Sequence, residues 1–239
     1  MNLLILNPNS TVSMTETIAA AARRAALPAT RIIAISGTGP ASVEGHADAA
    51  LAVPTMLAEI MAAERGEFPP SAIIIACFDD PGLLAAREVA RAPVLGIAQS
   101  ALQIAMLISA RFSIITTLPR SVPVIEDLVQ AYGAGHACRK VRSVDLSVLA
   151  LEAAPDEAFA RLVAEGRKAI AEDGAEAIIL GCAGMAEMCA NLSEALGLPV
   201  IDGVVAAVKL AEALASGGFA TSKAGSLAYP RDKSGDKPA

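Results

Sequence analysis

One pattern occurs twice in this chain and restricts its fold more than any other feature. Ile75-Ala76-Cys77 is followed by Ala92-Pro93-Val94-Leu95-Gly96, and Leu180-Gly181-Cys182 by Leu198-Pro199-Val200-Ile201-Asp202-Gly203. Pro93 stands 93 − 77 = 16 residues after its cysteine, and Pro199 stands 199 − 182 = 17 after its own. Each copy then enters an Ala-rich stretch with helical spacing. Upstream, Leu3–Ser10 resembles Ser113–Ser121: an apolar run, a polar turn with Pro, then a hydroxyl residue suited to a helix N-cap. The chain reads as two similar halves, each with one cysteine just past an apolar run.

The apolar runs are short and rich in Ile and Val: Leu3–Leu6, Ile32–Ile35, Ala72–Ala76, Val94–Ile97, Phe112–Thr116, Ala177–Leu180 and Val200–Ile201. Ile73-Ile74-Ile75 has no polar alternation, which marks a strand buried on both faces, as in a parallel sheet. Helical periodicity lies between the runs, over Ser13–Ala26, Ala47–Arg65, Ala98–Ala110, Asp156–Asp173 and Ala183–Leu196, with Pro28, Pro93 and Pro199 at the exits. The expected fold is α/β, with two lobes related by a pseudo-twofold axis. Each lobe is a mostly parallel sheet flanked by helices, with the active site in the cleft between them. Residues 1–98 with 203–220 form the first lobe, 99–202 the second, and 221–239, polar and rich in Gly, Pro and Lys, a loose tail.

Composition narrows the function classes. The mean hydropathy of +0.52 rests largely on Ala, and no window reaches the ~18 uninterrupted apolar residues of a spanning helix. The longest candidate, Val200–Leu214, is cut by Asp202, Lys209 and Glu212. With 19 basic against 25 acidic residues, a net charge of −6 and 3% aromatics, the chain offers neither a basic footprint nor stacking platforms for nucleic acid. Met1-Asn2-Leu3-Leu4 has no basic n-region and reads as a first strand rather than an export signal. The expected compartment is therefore the reducing cytoplasm, with Cys77, Cys138, Cys182 and Cys189 as free thiols. No Cys-x-x-Cys or Cys/His cluster points to a metal. Gly37-Thr38-Gly39 lacks the third glycine of a dinucleotide fingerprint, and no cofactor is expected.

Ligands of open parallel sheets bind at the carboxyl ends of the strands. Cys77 and Cys182 both fall there, so a pseudo-twofold axis sets them facing one another across the cleft. Two acid/base groups on opposite sides of a carbon are what inversion requires, since one removes a proton and the other returns one. A thiol, with an ordinary pKa of ~8.5, suits both roles. A helix N-terminus after each cysteine is expected to lower its pKa.

At this level of detail the chain resembles the aspartate/glutamate/hydantoin racemase superfamily, and within it the hydantoin and allantoin racemases. The resemblance runs through Asn7-Pro8-Asn9-Ser10-Thr11, Gly39-Pro40-Ala41-Ser42-Val43-Glu44-Gly45, Ala76-Cys77-Phe78-Asp79-Asp80 and Thr116-Thr117. It continues through Gly181-Cys182-Ala183-Gly184-Met185 and Asp202-Gly203-Val204. It implies that Cys77 and Cys182 are the catalytic pair, acting on a small cyclic ureide at its C5 carbon without a cofactor. It also implies substrate contacts from Asn9, Pro40, Ser42, Val43, Phe78, Asp79, Thr116, Thr117, Gly181, Ala183, Gly184 and Met185, and a homo-oligomer, tetramer or hexamer.

The surroundings of the cysteines differ from those of glutamate racemases. Cys77-Phe78-Asp79 and Cys182-Ala183-Gly184 stand where those enzymes usually carry Cys-Asn-Thr and Cys-Thr-His, groups that grip a free amino acid. Racemisation of free aspartate or glutamate is one alternative; a lyase or decarboxylase using one cysteine, and a binding protein without turnover, are others. Simpler roles also stand open. Asn9 can serve as a strand exit, Thr116 and Thr117 as ordinary β-formers, and Asp79 or Asp80 as a cap of the helix after Cys77. Cys138, Cys189, His46 and His136 read as packing or surface residues.

Overall fold

A strand that is apolar on both faces is stable only when both faces of its sheet are covered. In the computed structural model, which describes residues 1–232, Leu3–Leu6 and Ile73–Ile75 occupy the two central strands of such a sheet. The first half of the chain runs β1 (Asn2–Asn7), α1 (Val12–Ala25), β2 (Arg31–Ser36), α2 (His46–Glu64), β3 (Ala72–Ile75), α3 (Leu83–Val89), β4 (Val94–Gly96) and α4 (Ile97–Ile108). The second runs β5 (Phe112–Thr116), α5 (Val122–Ala131), β6 (Cys138–Ser143), α6 (Ala150–Ala153), α7 (Pro155–Lys168), β7 (Ala177–Leu180), α8 (Cys189–Leu196), β8 (Val200–Asp202) and α9 (Gly203–Ser216). The sheets are ordered β2-β1-β3-β4 and β6-β5-β7-β8, and every pairing is parallel. The second order repeats the first, which is the duplication read from the sequence.

Because successive side chains point to opposite faces, each central strand feeds two cores. Leu4, Leu6, Ile73 and Ile75 pack outward against α2 and α3 residues such as Met56 and Leu83. Ile115, Ile178 and Leu180 pack outward with Leu162 of α7. The other faces, Leu3, Ile5 and Ile74 of one sheet and Phe112, Ile114 and Ile179 of the other, meet in a single core shared by the lobes. Between them α4 and α9 pack on each other: α4 touches β4, β7 and β8, and α9 touches β3, β4 and β8. Ala98, Ala101, Ala105, Ala207 and Ala211 are buried at this junction, and small side chains there let the helices approach closely. Among the described residues, no helix is long and apolar enough to cross a membrane.

Several elements differ from the sequence reading. β6 and α5 are absent from it, since Cys138-Arg139-Lys140-Val141-Arg142-Ser143 carries three cations. It is nonetheless an edge strand, and Arg142 turns inward to donate to Asp173, Glu165 and Glu172. The expected helix Ala183–Leu196 is a 3₁₀ turn over Ala183–Met188 followed by α8. The hydroxyl N-caps do not form: α1 is preceded by Thr11 and α5 by Ser121, neither with a side-chain cap bond. Nor is the described part of the expected loose tail free. Thr221 donates its N–H to the Arg91 carbonyl (2.9 Å), and Lys223 donates to the carbonyls of Arg87 (2.6 Å) and Glu88 (3.0 Å) while lying over the Tyr229 ring. Residues 233–239 of that tail lie outside the described residues.

Candidate active site

Cys77 and Cys182 each stand two residues beyond a central strand, β3 and β7, at the carboxyl edge of their sheets. The equivalent edges of β1 and β5 bring Asn9 and Thr116–Thr117 to the same place. One small cavity, about 30 Å³, is lined by both cysteines, by Asn9, Thr116 and Thr117, and by Val43, Phe78 and Asp79. Gly181 and Ala183 complete the Cys182 side. Among the described residues, no lysine, arginine or histidine lines it.

The remaining expected contacts lie elsewhere. Met185, expected to contact the substrate, is fully buried in the outer core of the second lobe. Pro40 and Ser42 do not line the cavity; the Pro40 carbonyl instead accepts from the Ser10 N–H (3.0 Å). Gly184 does not line the cavity, although a Cβ on it would stand 3.7 Å from the Cys182 sulfur. The structure adds Met14, Ser121 and Val148 to the lining. Ser121 had a signal, as the counterpart of Ser10 in the repeat; Met14 and Val148 had none, since helix and loop positions of opposite lobes meet only in three dimensions.

The polar groups have distinct local duties. The Asn9 side-chain oxygen accepts from the Thr11 N–H (3.0 Å) and from the Asn7 amide (2.8 Å). The Asn9 amide nitrogen in turn donates to Met14 Sδ (3.1 Å), and both residues line the cavity. The Thr116 hydroxyl donates to the Gly181 carbonyl (3.1 Å), tying β5 to the Cys182 turn. A Cβ on Gly181 would stand 2.9 Å from Thr116 Cβ, so the close approach at this turn requires glycine. Asp80 does not cap the helix after Cys77: its carboxylate accepts from the Ala98 and Gln99 N–H groups at the start of α4.

The expectation that helix ends lower the thiol pKa values is overturned. α3 begins only at Leu83, so no helix start adjoins Cys77. Burial pushes the Cys77 thiol up, the Asp79 carboxylate pushes it further, and the Asp79 N–H opposes them; the Cys182 charge adds to the rise. Burial likewise pushes Cys182 to about 12, opposed by the Gly184 N–H, with Asp79 again adding to the rise. Asp79 itself is raised to about 6 by burial. A low-dielectric cleft holding a carboxylate disfavours further negative charge, and here that outweighs the two N–H groups. All four cysteines are free. Cys138 opens β6, and Cys189 gives its S–H to the Val200 carbonyl (3.1 Å); neither lines the cavity.

The sequence profile described as Asp/Glu/Hydantoin racemase matches residues 3–211. The chain belongs to this family. Among curated relatives it is 58% identical to a hydantoin racemase of Rhizobium meliloti, over 98% of this chain and 96% of that one. It is 46% identical to a hydantoin racemase of Pseudomonas sp. (strain NS671), over 98% of this chain and 93% of that one. Among solved structures, an allantoin racemase from Klebsiella pneumoniae superposes with a TM-score of 0.94 at 45% identity, covering 98% and 95% of the two chains.

Proposed function

We propose that this protein is a cofactor-independent isomerase that interconverts the D and L forms of 5-substituted hydantoins or of the ureide allantoin. Cys77 and Cys182 exchange the roles of base and acid. The observation that carries the reading is that two free thiols from equivalent positions of the two lobes line one cavity. High identity to hydantoin racemases over nearly the full length supports the substrate class.

In this reading one thiolate removes the C5 proton and the opposite thiol delivers its proton to the other face, leaving the thiolate and thiol exchanged. The C5 proton lies beside an amide carbonyl, so its removal places charge on that oxygen. Donors aimed at developing charge are usually the largest catalytic contribution, and the Asn9 amide and backbone N–H groups of the Cys182 turn are suited to it. Among the described residues the cavity lining carries no cationic side chain, which suits a neutral ring better than the carboxylate of a free amino acid.

The test is polarimetry without added cofactor on enantiopure 5-substituted hydantoins, allantoin, aspartate and glutamate. Loss of rotation with a hydantoin or allantoin is expected. Turnover of free glutamate or aspartate, with none of any ureide, overturns the substrate class.

The raised thiols set the pH dependence. A thiol whose pKa lies above the working pH is almost wholly protonated, and its thiolate fraction climbs about tenfold per pH unit. Racemisation kcat/KM is therefore expected to rise with pH from about 7 to about 9. Asp79→Asn removes the carboxylate that raises both thiols and is expected to move the profile to lower pH; a profile that stays in place or moves up contradicts this. Cys138→Ser and Cys189→Ser are expected to keep near wild-type turnover, measured by the same assay, because neither thiol reaches the cavity.

The proposal extends to assembly and compartment. Leu84, Leu107 and Ile108 are large apolar side chains more than half exposed, which supports a homo-oligomer, and a reducing cytoplasm is the setting in which four thiols stay free. Light scattering of the purified protein tests the first; a monomer at micromolar concentration removes it.

A further inference from the structure

The two cysteine turns are built alike but held differently. In each, the backbone N–H three residues on donates to the cysteine carbonyl, Asp80 to Cys77 at 3.0 Å and Met185 to Cys182 at 3.1 Å. The Met185 side chain enters the core of its own lobe. Asp80 is 5% exposed, with a backbone φ of 43°, in the left-handed region that a non-glycine residue holds only where its surroundings demand it.

Those surroundings are the Asp80 carboxylate's partners. Oδ1 accepts from the Ala98 N–H (3.1 Å), and Oδ2 accepts from the Gln99 N–H (2.9 Å) and the Tyr132 hydroxyl (3.0 Å). Ala98 and Gln99 open α4, whereas Tyr132 follows α5 in the second lobe. Gly96 leaves room for this, because a Cβ there would come within 2.2–2.3 Å of the Asp80 carboxylate atoms. In the second lobe the residue equivalent to Gly96 is Asp202, which caps α9 from its own strand end through the Val204 N–H (2.7 Å). A carboxylate thus sits at the start of the central helix in both lobes, but only in the first does it come from the cysteine turn. Only there does it tie that turn to the opposite lobe.

We propose that Asp80 is a positioning residue for Cys77: it locks the turn that carries the sulfur onto α4 and onto Tyr132 of the other lobe, and so sets where Cys77 stands relative to Cys182. The inference rests on the two-thiol reading. Loosening this tie slows proton transfer between Cys77 and C5 in both directions and leaves transfer with Cys182 intact. A displacement of the order of an ångström costs about 10²-fold in rate.

The experiment compares Asp80→Asn and Tyr132→Phe with wild type, using C5-protio and C5-deuterio forms of each hydantoin enantiomer. Tyr132→Phe removes only the bond between lobes and leaves the carboxylate both N–H partners, so it tests the idea where Asp80→Asn fails to fold. Expected falls in kcat are about three- to tenfold for Tyr132→Phe and about 10²-fold for Asp80→Asn. The deciding readout is the C5 isotope effect. It should grow for the enantiomer that Cys77 deprotonates, because that transfer becomes limiting. It should shrink toward unity for the other, whose C5 proton leaves to Cys182 before the slow step. The enantiomer whose C5 proton still exchanges with solvent in Cys182→Ser identifies the first. Equal slowing of both enantiomers with unchanged isotope effects, alongside an inactive Cys77→Ser, overturns the role of Asp80 alone. Near wild-type racemisation by Cys77→Ser overturns the two-thiol reading, and this inference with it.

Discussion

Serine at position 77 or at position 182 is expected to abolish racemisation in both directions, with kcat falling about 10²–10⁴-fold, the usual contribution of one acid/base group. Serine keeps the shape of the side chain, but its hydroxyl is far too weak an acid to give the base that the reaction needs. Every complete inversion uses both groups, so neither variant can work in one direction only. Proton removal alone can survive. In deuterated solvent one variant is expected to exchange the C5 proton of one enantiomer, and the other variant that of its mirror image, both followed by NMR. Wild-type racemisation rates in both variants would falsify the two-thiol mechanism and leave the repeat as a feature of the fold.

The largest effect on stability is expected at Arg142. Its side chain is 5% exposed and meets Asp173, 7% exposed, through paired bonds of 2.7 and 2.6 Å, with Glu165 at 2.9 Å. Ser113 of the central strand β5 donates to the same Asp173 carboxylate. Removing one partner of a buried pair leaves the other charge without compensation and costs about 3–5 kcal/mol. Arg142→Met fills similar volume without the charge, and urea unfolding is expected to register a loss of that size. The pH dependence gives a second readout. Hydrogen bonds from Arg142 hold the Asp173 carboxyl below its ordinary range, so the pair adds stability above the usual carboxylate pKa and loses it as pH falls through the depressed value. Arg142→Met should lose that acid-sensitive component. A variant that unfolds at the wild-type urea midpoint contradicts the argument.

The same residue shows where sequence reading stops. Val141 is the only apolar residue of Arg139–Ser143, so period and propensity give no strand. The strand forms because β5 offers an unpaired edge, and because α7 and the segment after it supply carboxylates to Arg142. The turn after Cys182 is similar: Ala183–Leu196 is helical in composition throughout, yet its first turn is 3₁₀. Propensity cannot distinguish the two when both satisfy the same local pattern.

The sequence by itself determined the α/β class, the duplication, the central strands and the placement of Cys77 and Cys182 just past two of them. Each of these depends on the order and spacing of residues along the chain, and apolar runs without alternation can be buried in few ways. Asn9, Thr117 and Phe78 reach the cavity because strand ends in parallel sheets converge at one edge, which is a rule of the fold class. What only the tertiary structure decided is what comes from the opposite lobe or from burial. Met14, Ser121 and Val148 join the lining, and Asp80 is claimed by α4 and Tyr132 rather than by the helix after Cys77. Both thiols rise in pKa instead of falling, because desolvation and the Asp79 charge depend on how the two lobes close around the cleft, and no linear spacing encodes that closure.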